Sequence, residues 1–289
     1  MTRDALFLGI DGGGSGCRAA VADAAGRILG EGKGGPANVV SDPDTAFASV
    51  LAAAWGAMAA AGEGDDLGRL VAVLGLAGAN VAEAAVAFRA RLPFASARVE
   101  NDVTVAVKGA LGVEDGIVAA IGTGAIYGTQ RGGRVRLAGG WGLILGDHGS
   151  GARMGRDLYE AALLAHDGFI AQTPLLAGIL REMRSPDAIV AFARRAGPAD
   201  FARAAPRVLA AAGDPAADRI LADADAAIAR ALDHLEADGA IPIIFSGGLG
   251  ATFAARLGHR YPTLVRPAKG SALDGALAMA RDLVQDPAA

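Results

Sequence analysis

An acidic residue followed by a glycine-rich segment near the start of the chain has the composition of a phosphate-binding turn. An apolar run, Leu6–Ile10, ends at Asp11, and a second apolar run, Cys17–Ala22, follows the glycines. The segment between them consists of Gly12, Gly13, Gly14, Ser15 and Gly16. This pattern predicts a β-hairpin whose turn exposes backbone N–H groups to an anion, because glycine has no Cβ to block the approach. Asp11 would repel phosphate unless a cation lay between them, which predicts Mg²⁺ bound by Asp11; the alternative is a tight hairpin with a capping aspartate.

Three more polar or glycine-containing clusters come directly after predicted strands. Asn101 and Asp102 follow a short strand at 97–100. The other two clusters are Gly122–Gly124 and Gly247–Gly250. Ligands bind outside the carboxyl ends of strands in open α/β sheets, so together the clusters predict a binding site. Taken alone, Asp102 has a second interpretation as the N-cap of a helix at 103–111.

Motifs and composition exclude several other kinds of site. No G-x-x-x-x-G-K-[ST] motif occurs, which excludes a P-loop, and the absence of G-x-G-x-x-G at these turns argues against a dinucleotide fold. Cys17 is the only cysteine, so an internal disulfide and a Cys-only iron–sulfur site are excluded, and we expect a small core residue there. A net charge of −4 and a pI of about 5.6 argue against a nucleic-acid partner.

The same order of elements occurs twice, which predicts two related α/β lobes. Each half starts with a strand, a glycine turn, a second strand, another turn and a third strand, and the second copy begins at Gly116. We therefore predict an N-terminal lobe over 1–115, completed by a C-terminal helix over 271–285, and a second lobe over 116–270. Ser271 is placed to cap that last helix in a capping box.

One predicted helix, at 43–61 with Asp42 as its N-cap, has a composition that invites another interpretation. Residues 45–62 carry no charge over nearly a membrane-spanning length. Since alanine is only weakly apolar, we expect a packed helix and no membrane partner. No signal peptide is visible, which predicts a cytoplasmic protein.

Helices are also predicted at 201–212 and 215–238.

Taken together, Asp11–Ser15, Gly122–Gly124 and Ser246–Gly248 resemble the motifs of the sugar kinase, hsp70 and actin superfamily. Within it, nearly the whole chain resembles the glucosamine and N-acetylglucosamine kinase group of the BadF/BcrA-type ATPase family. The most specific match is Gly139–Gly151, GGWGLILGDHGSG. The resemblance implies an α/β, two-lobed ribonuclease-H-like fold, as in the actin-like ATPases, with ATP and Mg²⁺ in an interlobe cleft.

The resemblance also implies a role for each cluster. Gly12–Ser15 and Thr123-Gly124 would bind phosphates, Gly247-Gly248 would bind the nucleoside, and Asp11 would bind Mg²⁺. The residues implied in sugar binding are Asn38, Asp102, Gly140, Trp141, Gly142, Asp147 and His148. Asp102 would be the catalytic base that accepts the proton of the sugar hydroxyl.

Several of the implied sugar ligands have alternative interpretations. Asn38 could be a loop residue bonded to its own backbone, and Asp147 a turn residue. Trp141 could be a core residue. His148 stands where acetylglucosamine kinases typically carry glutamate, and a surface or supporting role is an alternative for it.

The activity implied is transfer of the γ-phosphoryl group of ATP to the 6-hydroxyl of glucosamine or N-acetylglucosamine. A kinase specific for N-acetylglucosamine is one alternative. An ATPase that drives a partner protein is another, although the reductase activators of the broader family need cysteines that this chain lacks. A non-enzymatic sugar sensor is a third, and the start of the first strand near Leu6 leaves no room for a DNA-binding helix pair. A homodimer would be ordinary for this class.

Overall fold

The computed structural model describes residues 5–236 and 241–285, which form two compact units. By residue contacts, one unit contains the chain up to Gly116, Thr129–Arg136 and the chain from Pro267, and the other contains Ile117–Gly128 and Leu137–Arg266. The described strands are β1 (Leu6–Gly12), β2 (Cys17–Ala22), β3 (Ile28–Gly34), β4 (Leu70–Leu76), β5 (Ser96–Asn101), β6 (Gly116–Ile121), β7 (Ala125–Arg131), β8 (Arg134–Gly139) and β9 (Ile243–Ser246). The described helices are α1 (Pro43–Ala61), α2 (Ala82–Arg89), α3 (Asp102–Leu111), α4 (Gly142–Leu145), α5 (Gly151–His166), α6 (Pro174–Met183), α7 (Pro186–Ala193), α8 (Pro198–Ala202), α9 (Ala205–Ala210), α10 (Pro215–Glu236), α11 (Gly250–Leu257) and α12 (Ala272–Gln285).

The sheet of the first unit is built outward from the predicted hairpin, with the strand order β3-β2-β1-β4-β5 in the described residues. β1 pairs antiparallel with β2, and in their turn the Gly13 N–H donates to the carbonyl oxygen of Gly16 at 2.9 Å. β1 also pairs parallel with β4, and β4 with β5. The three parallel strands therefore end at one edge of this sheet. Cys17 is buried in β2, as predicted.

Helix α1 packs its alanine-rich side on β2 and β3. Asp42 accepts a hydrogen bond from the Thr45 N–H at 3.0 Å, which confirms the predicted N-cap. Glycine alternates with charged residues along β3 because a Cβ at Gly32 or Gly34 would overlap the backbone of α1. Among the described residues, α1 is the one helix long and apolar enough to cross a membrane by length and composition. It packs one side against β2 and β3, as expected for a helix packed on a sheet.

Helices α3 and α12 pack against each other on the first unit. Gly109 of α3 and Gly275 of α12 allow this approach, because a Cβ on either would overlap backbone atoms of the opposite segment. The Ser271 N–H donates to Asp274 Oδ2 at 2.7 Å, which confirms the predicted capping box of α12. Since α3 begins at Asp102, this contact also positions a predicted site residue.

A second described sheet has the strand order β8-β7-β6-β9, with β9 parallel to β6. The predicted glycine turn lies between β6 and β7. Leu158 of α5, Ile228 of α10 and Phe253 of α11 pack with Ile121 in the apolar core of the second unit. The first sheet packs in two other apolar clusters.

One predicted helix is interrupted in the structure, and the predicted end of another lies outside the described residues. The helix predicted at 201–212 is instead α8 and α9, with Pro206 in the first turn of α9. Proline lacks an N–H and disfavours a helical conformation in the residue before it, so the longer helix is interrupted. α10 is described as far as Glu236, and the predicted helix end at 238 lies outside the described residues.

The segment Thr129–Arg136 was predicted within the second lobe, but by contacts it belongs to the first unit. Its Gln130 amide donates to the carbonyl oxygens of Gly112 and Glu114 at 2.8 and 2.7 Å. These bonds connect residues far apart in sequence, so the repeat of strand patterns could not indicate them.

Candidate active site

The first unit brings together the predicted residues Asp11, Asn38 and Asp102 at the ends of its parallel strands. Asp11 lies opposite Gly75 of β4, and Gly75 lies opposite Glu100 of β5, two residues before Asp102. Asn38 forms an isolated parallel bridge with the residue that follows β4. The topology thus gathers residues that are far apart in sequence.

Asp102 is half-buried at the first position of α3. Asn101, rather than Asp102, is the N-cap, since its side chain accepts from the Val103 N–H at 2.9 Å. Asp102 Oδ1 accepts from the same N–H at 2.9 Å. Burial raises the pKa of the Asp102 carboxyl, and the charge of Asp11 raises it further. Asp102 therefore has a more basic carboxylate than an ordinary aspartate, which favours proton acceptance.

Asp11 forms an ion pair that the sequence analysis did not anticipate. Its Oδ2 accepts from Nη2 of Arg18 at 2.6 Å. The two residues are directly opposite each other in the hairpin. Counting positions outward from the glycine turn would have indicated this pair, because opposed residues in an antiparallel ladder share a face.

The glycines of the hairpin turn have two different reasons to be glycine. A Cβ at Gly12 would contact Leu76 and Ala37 at 2.7 and 2.9 Å, so this position is explained by packing. Gly14 has nothing within 4 Å of such a Cβ, and Gly13 has only a carbonyl oxygen at 4.0 Å. Gly13, Gly14 and the exposed Ser15 thus surround open space that an anion could fill.

Asn38 forms the backbone-bonded loop that was its alternative interpretation. Its Oδ1 accepts from the N–H groups of Val40 and Ser41 at 2.9 and 3.0 Å. The side-chain nitrogen takes no part in these two bonds, so it can donate to a ligand while the turn fixes its direction.

In the second unit, Thr123 and Gly124 lie beside the start of α5. The Gly151 and Ala152 N–H groups donate to the carbonyl oxygens of Gly122 and Thr123 at 2.8 and 3.1 Å. Thr123 itself is exposed. The 16-residue helix α5 therefore begins next to the predicted phosphate loop, where the partial positive charge of a helix N-terminus favours an anion.

Gly247 and Gly248 lie against the same loop. A Cβ at Gly247 would come within 2.5 Å of the Ile121 carbonyl oxygen, and its φ of +81° also favours glycine. Gly247 is therefore explained by packing. A Cβ at Gly248 would meet no atom within 4 Å. Gly248 adjoins Gly122, because a Cβ at Gly122 would lie 3.6 Å from the Gly248 nitrogen. Only Gly248 leaves open space for a flat base.

Asp147 is the most constrained of the predicted site residues. It has a φ of +54°, which is rare for a residue other than glycine, and its side chain is buried against Gly124. Asp147 Oδ1 is buried and has no hydrogen-bond partner among the described residues. A buried oxygen without a partner is costly, which indicates a ligand that donates hydrogen bonds.

Trp141 is not a core residue, because its side chain is 73% exposed. The flanking Gly140 and Gly142 have φ values of +71° and +79°, so the backbone here depends on glycine. A Cβ at Gly142 would meet nothing within 4 Å, whereas one at Gly140 would contact Ile126. The segment therefore presents its backbone and an exposed ring.

His148, which directly follows Asp147 in the chain, is exposed. It lines a separate cavity of about 240 Å³ with Arg153, Asp157, Asp223 and Arg230. Asp157 is paired there with Arg153 at 3.0 Å. This position favours the supporting or surface role that was the alternative for His148.

Comparison with known proteins agrees with this geometry. Glucosamine kinase GspK of Vibrio cholerae is 34% identical to this chain over 279 residues, which is 95% of each chain. The structure of a Chromobacterium violaceum protein proposed to be an N-acetylglucosamine kinase matches with a TM-score of 0.86 and 32% identity, over 96% of this chain and 99% of that one. A ROK family glucokinase from Streptomyces griseus, solved with glucose and AMPPNP, shares the fold with a TM-score of 0.53 and 20% identity, over 96% of this chain and 99% of that one.

These likenesses confirm the predicted ribonuclease-H-like α/β fold of the actin-like ATPases. The sequence profile of the BadF/BadG/BcrA/BcrD ATPase family matches residues 8–256, most of the chain. This protein is a member of the BadF/BadG/BcrA/BcrD ATPase family.

Proposed function

We propose that this protein transfers the γ-phosphoryl group of ATP to a hydroxyl group of an amino sugar. Membership of an ATPase family implies ATP as the nucleotide. The similarity to a glucosamine kinase and to a protein proposed to be an N-acetylglucosamine kinase supports glucosamine or N-acetylglucosamine as the sugar. As the resemblance implies, we propose the 6-hydroxyl as the acceptor, a cytoplasmic location and a homodimer.

The observation that carries the proposal is the buried Oδ1 of Asp147, which has no hydrogen-bond partner in the described part of the chain. A sugar offers neighbouring hydroxyl groups, and a carboxylate can accept a hydrogen bond from two of them. The uncommon backbone conformation of Asp147 holds that carboxylate in one direction. We propose Asn38, Asp102 and the backbone of Gly140–Gly142 as further ligands of the sugar.

Asp102 is proposed as the catalytic base. In phosphoryl transfer the protein contributes mainly by positioning and by stabilising charge, and the base accepts the hydroxyl proton as the new O–P bond forms. The raised pKa of Asp102 suits it to hold that proton. Asp102 lies at the start of α3, at the edge of the sheet where Asp11 also lies.

We propose that Gly13, Gly14, Ser15 and Thr123 bind the phosphates and that Gly248 adjoins the nucleoside. Within the described ranges no group of three or more His, Cys, Asp or Glu side chains is arranged to bind a metal. Mg²⁺ does not need such a group, because one or two carboxylates with waters and phosphate oxygens complete its site. Asp11 fits that requirement, with Arg18 holding its Oδ2. When bound, Mg²⁺ would neutralise charge on the phosphates.

The proposal is tested by measuring ADP release from Mg-ATP with single sugars. The panel contains glucosamine, N-acetylglucosamine, N-acetylmannosamine, N-acetylmuramic acid and glucose, with a sample lacking sugar as the baseline. We expect strong stimulation by an amino sugar and formation of its phosphate ester. ADP release that is the same with and without every sugar would instead support an ATPase that drives a partner protein.

A further inference from the structure

The second unit contains a large apolar cavity that no proposed role yet uses. Its volume is about 1050 Å³, and its walls come from α4, α5, α7 and α8. Its lining includes Tyr159, Leu163, Ile189 and Phe201, of which Ile189 and Phe201 are buried. A cavity of this size and character is typical of a site for a whole small molecule, since such sites range over about 300–1,000 Å³.

Large apolar side chains of α4 and the residue before it lie at this cavity and are strongly exposed. Trp141, Ile144 and Leu145 are 73%, 93% and 81% exposed, and all three line it. Contiguous exposed apolar surface of this kind marks a binding site, because covering it with an apolar group removes it from water. The cavity and these side chains would be covered together by one apolar ligand.

The cavity adjoins the segment proposed to bind the sugar. Trp141 and Gly142 belong to that segment, and both also line the cavity. A sugar bound by the backbone at these positions would therefore sit at the cavity, and a substituent on the sugar could enter it. No separate ligand is then needed to explain the apolar surface.

The charged residues of the cavity disfavour a cationic substituent. Arg156 and Arg194 line it, and the one acidic residue in its described lining, Glu160, is paired with Arg156 at 3.3 Å. Arg194 forms no ion pair with any described residue. An ammonium group would meet this excess of positive charge, whereas a neutral apolar group would not.

We infer that the cavity binds an apolar substituent of the sugar, of acyl or alkyl type and longer than acetyl. This inference rests on the proposed function, because it assumes that the sugar is bound at Gly140–Gly142. It implies that the preferred substrate is a hexosamine derivative rather than the bare hexosamine. Each methylene that is fully buried should improve kcat/KM about fourfold.

The first test compares two substrate series that differ in where the apolar chain is attached. One series is N-acetyl-, N-butyryl- and N-hexanoylglucosamine, and the other is the methyl, butyl and hexyl glycosides of N-acetylglucosamine. We expect kcat/KM to rise with chain length in one series, which also identifies the point of attachment. If kcat/KM falls with chain length in both series while glucosamine or N-acetylglucosamine is phosphorylated, the inference is overturned and the proposed function stands.

A pair of matched variants locates the effect. Val190→Asp places a carboxylate in the cavity wall, on the half-exposed side of α7. Val86→Asp makes the same change on the exposed surface of α2, in the first unit. In the series where kcat/KM rises with chain length, we compare kcat/KM for the longest substrate with kcat/KM for the shortest. We expect Val190→Asp to lower this ratio at least tenfold. The Val86→Asp control should keep the wild-type ratio, and an equal loss in both variants would contradict the inference.

A binding measurement keeps the inference testable if no sugar is phosphorylated. The chain has two tryptophans, so Trp55→Phe leaves Trp141 as the fluorescent reporter at the cavity. Titration with N-hexanoylglucosamine or hexyl N-acetylglucosaminide, without ATP, should change this fluorescence. The Kd of the long-chain compound should be lower than the Kd of the shortest compound in the same series. Binding that is independent of chain length would overturn the inference even for an active kinase.

Discussion

Asp102 occupies a site that disfavours its own charge. Burial and the nearby charge of Asp11 both raise its pKa above the ordinary value of 3.8. When folding raises the pKa of an aspartate, the protein is more stable at low pH, where the carboxyl is protonated, than at high pH. This stability is fully present below the pKa that the aspartate has in the unfolded chain. As pH rises through the folded pKa, that stability is lost, because the carboxylate must ionise in an unfavourable site. The residue best placed as a base therefore costs stability at neutral pH.

Replacing Asp102 should separate activity from stability. We expect Asp102→Asn to lower phosphoryl transfer by about 10²–10⁴-fold, as for the loss of a general base, while nucleotide binding is retained. At pH 7 the variant should be more resistant to urea than the wild type, and the difference should vanish as pH falls below about 4. Turnover, nucleotide titration and urea unfolding at several pH values measure these effects. Unchanged turnover would exclude Asp102 as the base.

Asp147 has a left-handed backbone conformation and a buried oxygen that no residue within 5–236 or 241–285 hydrogen-bonds. Asp147→Asn preserves the shape, and asparagine tolerates this conformation, but the neutral amide is a weaker acceptor for sugar hydroxyls. We expect the KM for sugar to rise at least tenfold, with the KM for ATP little changed. Asp147→Gly should lose sugar binding as well but raise the free energy of unfolding by about 1 kcal/mol, because it removes the strain. An unaltered sugar KM in both variants would remove Asp147 from the site.

At the scale of elements, the contact of α3 with α12 connects a distant part of the chain to the proposed base. The two helices touch through Gly109 and Gly275, with no room for a Cβ. Asp102 begins α3, so any shift of that helix moves the carboxylate. The C-terminal helix thus contributes to the site without supplying a ligand.

A glycine substitution in α12 tests this contact. A Cβ at Gly275 would overlap the Val105 carbonyl oxygen, so Gly275→Ala should lower the free energy of unfolding by about 1–3 kcal/mol. Gly178→Ala, in helix α6, is the matched control, because only Arg207 Nη2 lies near, at 3.9 Å. The control should be neutral or stabilising, since alanine favours helices. Urea unfolding of both variants decides the point, and equal effects would refute the packing explanation.

At the scale of the whole molecule, the proposed functions are distributed over both compact units. The first contains Asp11, Asp102 and the open hairpin turn, and the second contains Asp147 and the exposed glycine Gly248. Each unit has its own apolar core. The proposed reaction needs residues from both, so a fragment containing one unit should not transfer phosphate.

The proposed Mg²⁺ requirement is tested on the intact protein with both substrates. Removal of Mg²⁺ by EDTA should abolish sugar-dependent ADP release, and added Mg²⁺ should restore it. Asp11→Asn should raise the Mg²⁺ concentration needed for half-maximal activity, because it removes the proposed carboxylate ligand. Val113→Asn, at an exposed position of the same unit, serves as the control. Full activity in EDTA would exclude a divalent cation from the reaction.

Much of the local structure was determined by the sequence alone. The hairpin at Asp11, the cap at Asp42 and the capping box at Ser271 depend on neighbours in the chain, and all are present. The polar and glycine-containing clusters at the strand ends were predicted from the same kind of local pattern. Even the helix interruption at Pro206 was encoded locally, although the prediction missed it.

Only the tertiary structure decided the electrostatics and the exposure of the site. The raised pKa of Asp102 depends on burial and on Asp11, 91 positions away in sequence, which no local pattern expresses. The unpaired oxygen of Asp147, the exposed ring of Trp141 and the apolar cavity likewise result from packing between distant segments. Sequence patterns indicate which groups are available, whereas desolvation and contact depend on what the folded chain places around them.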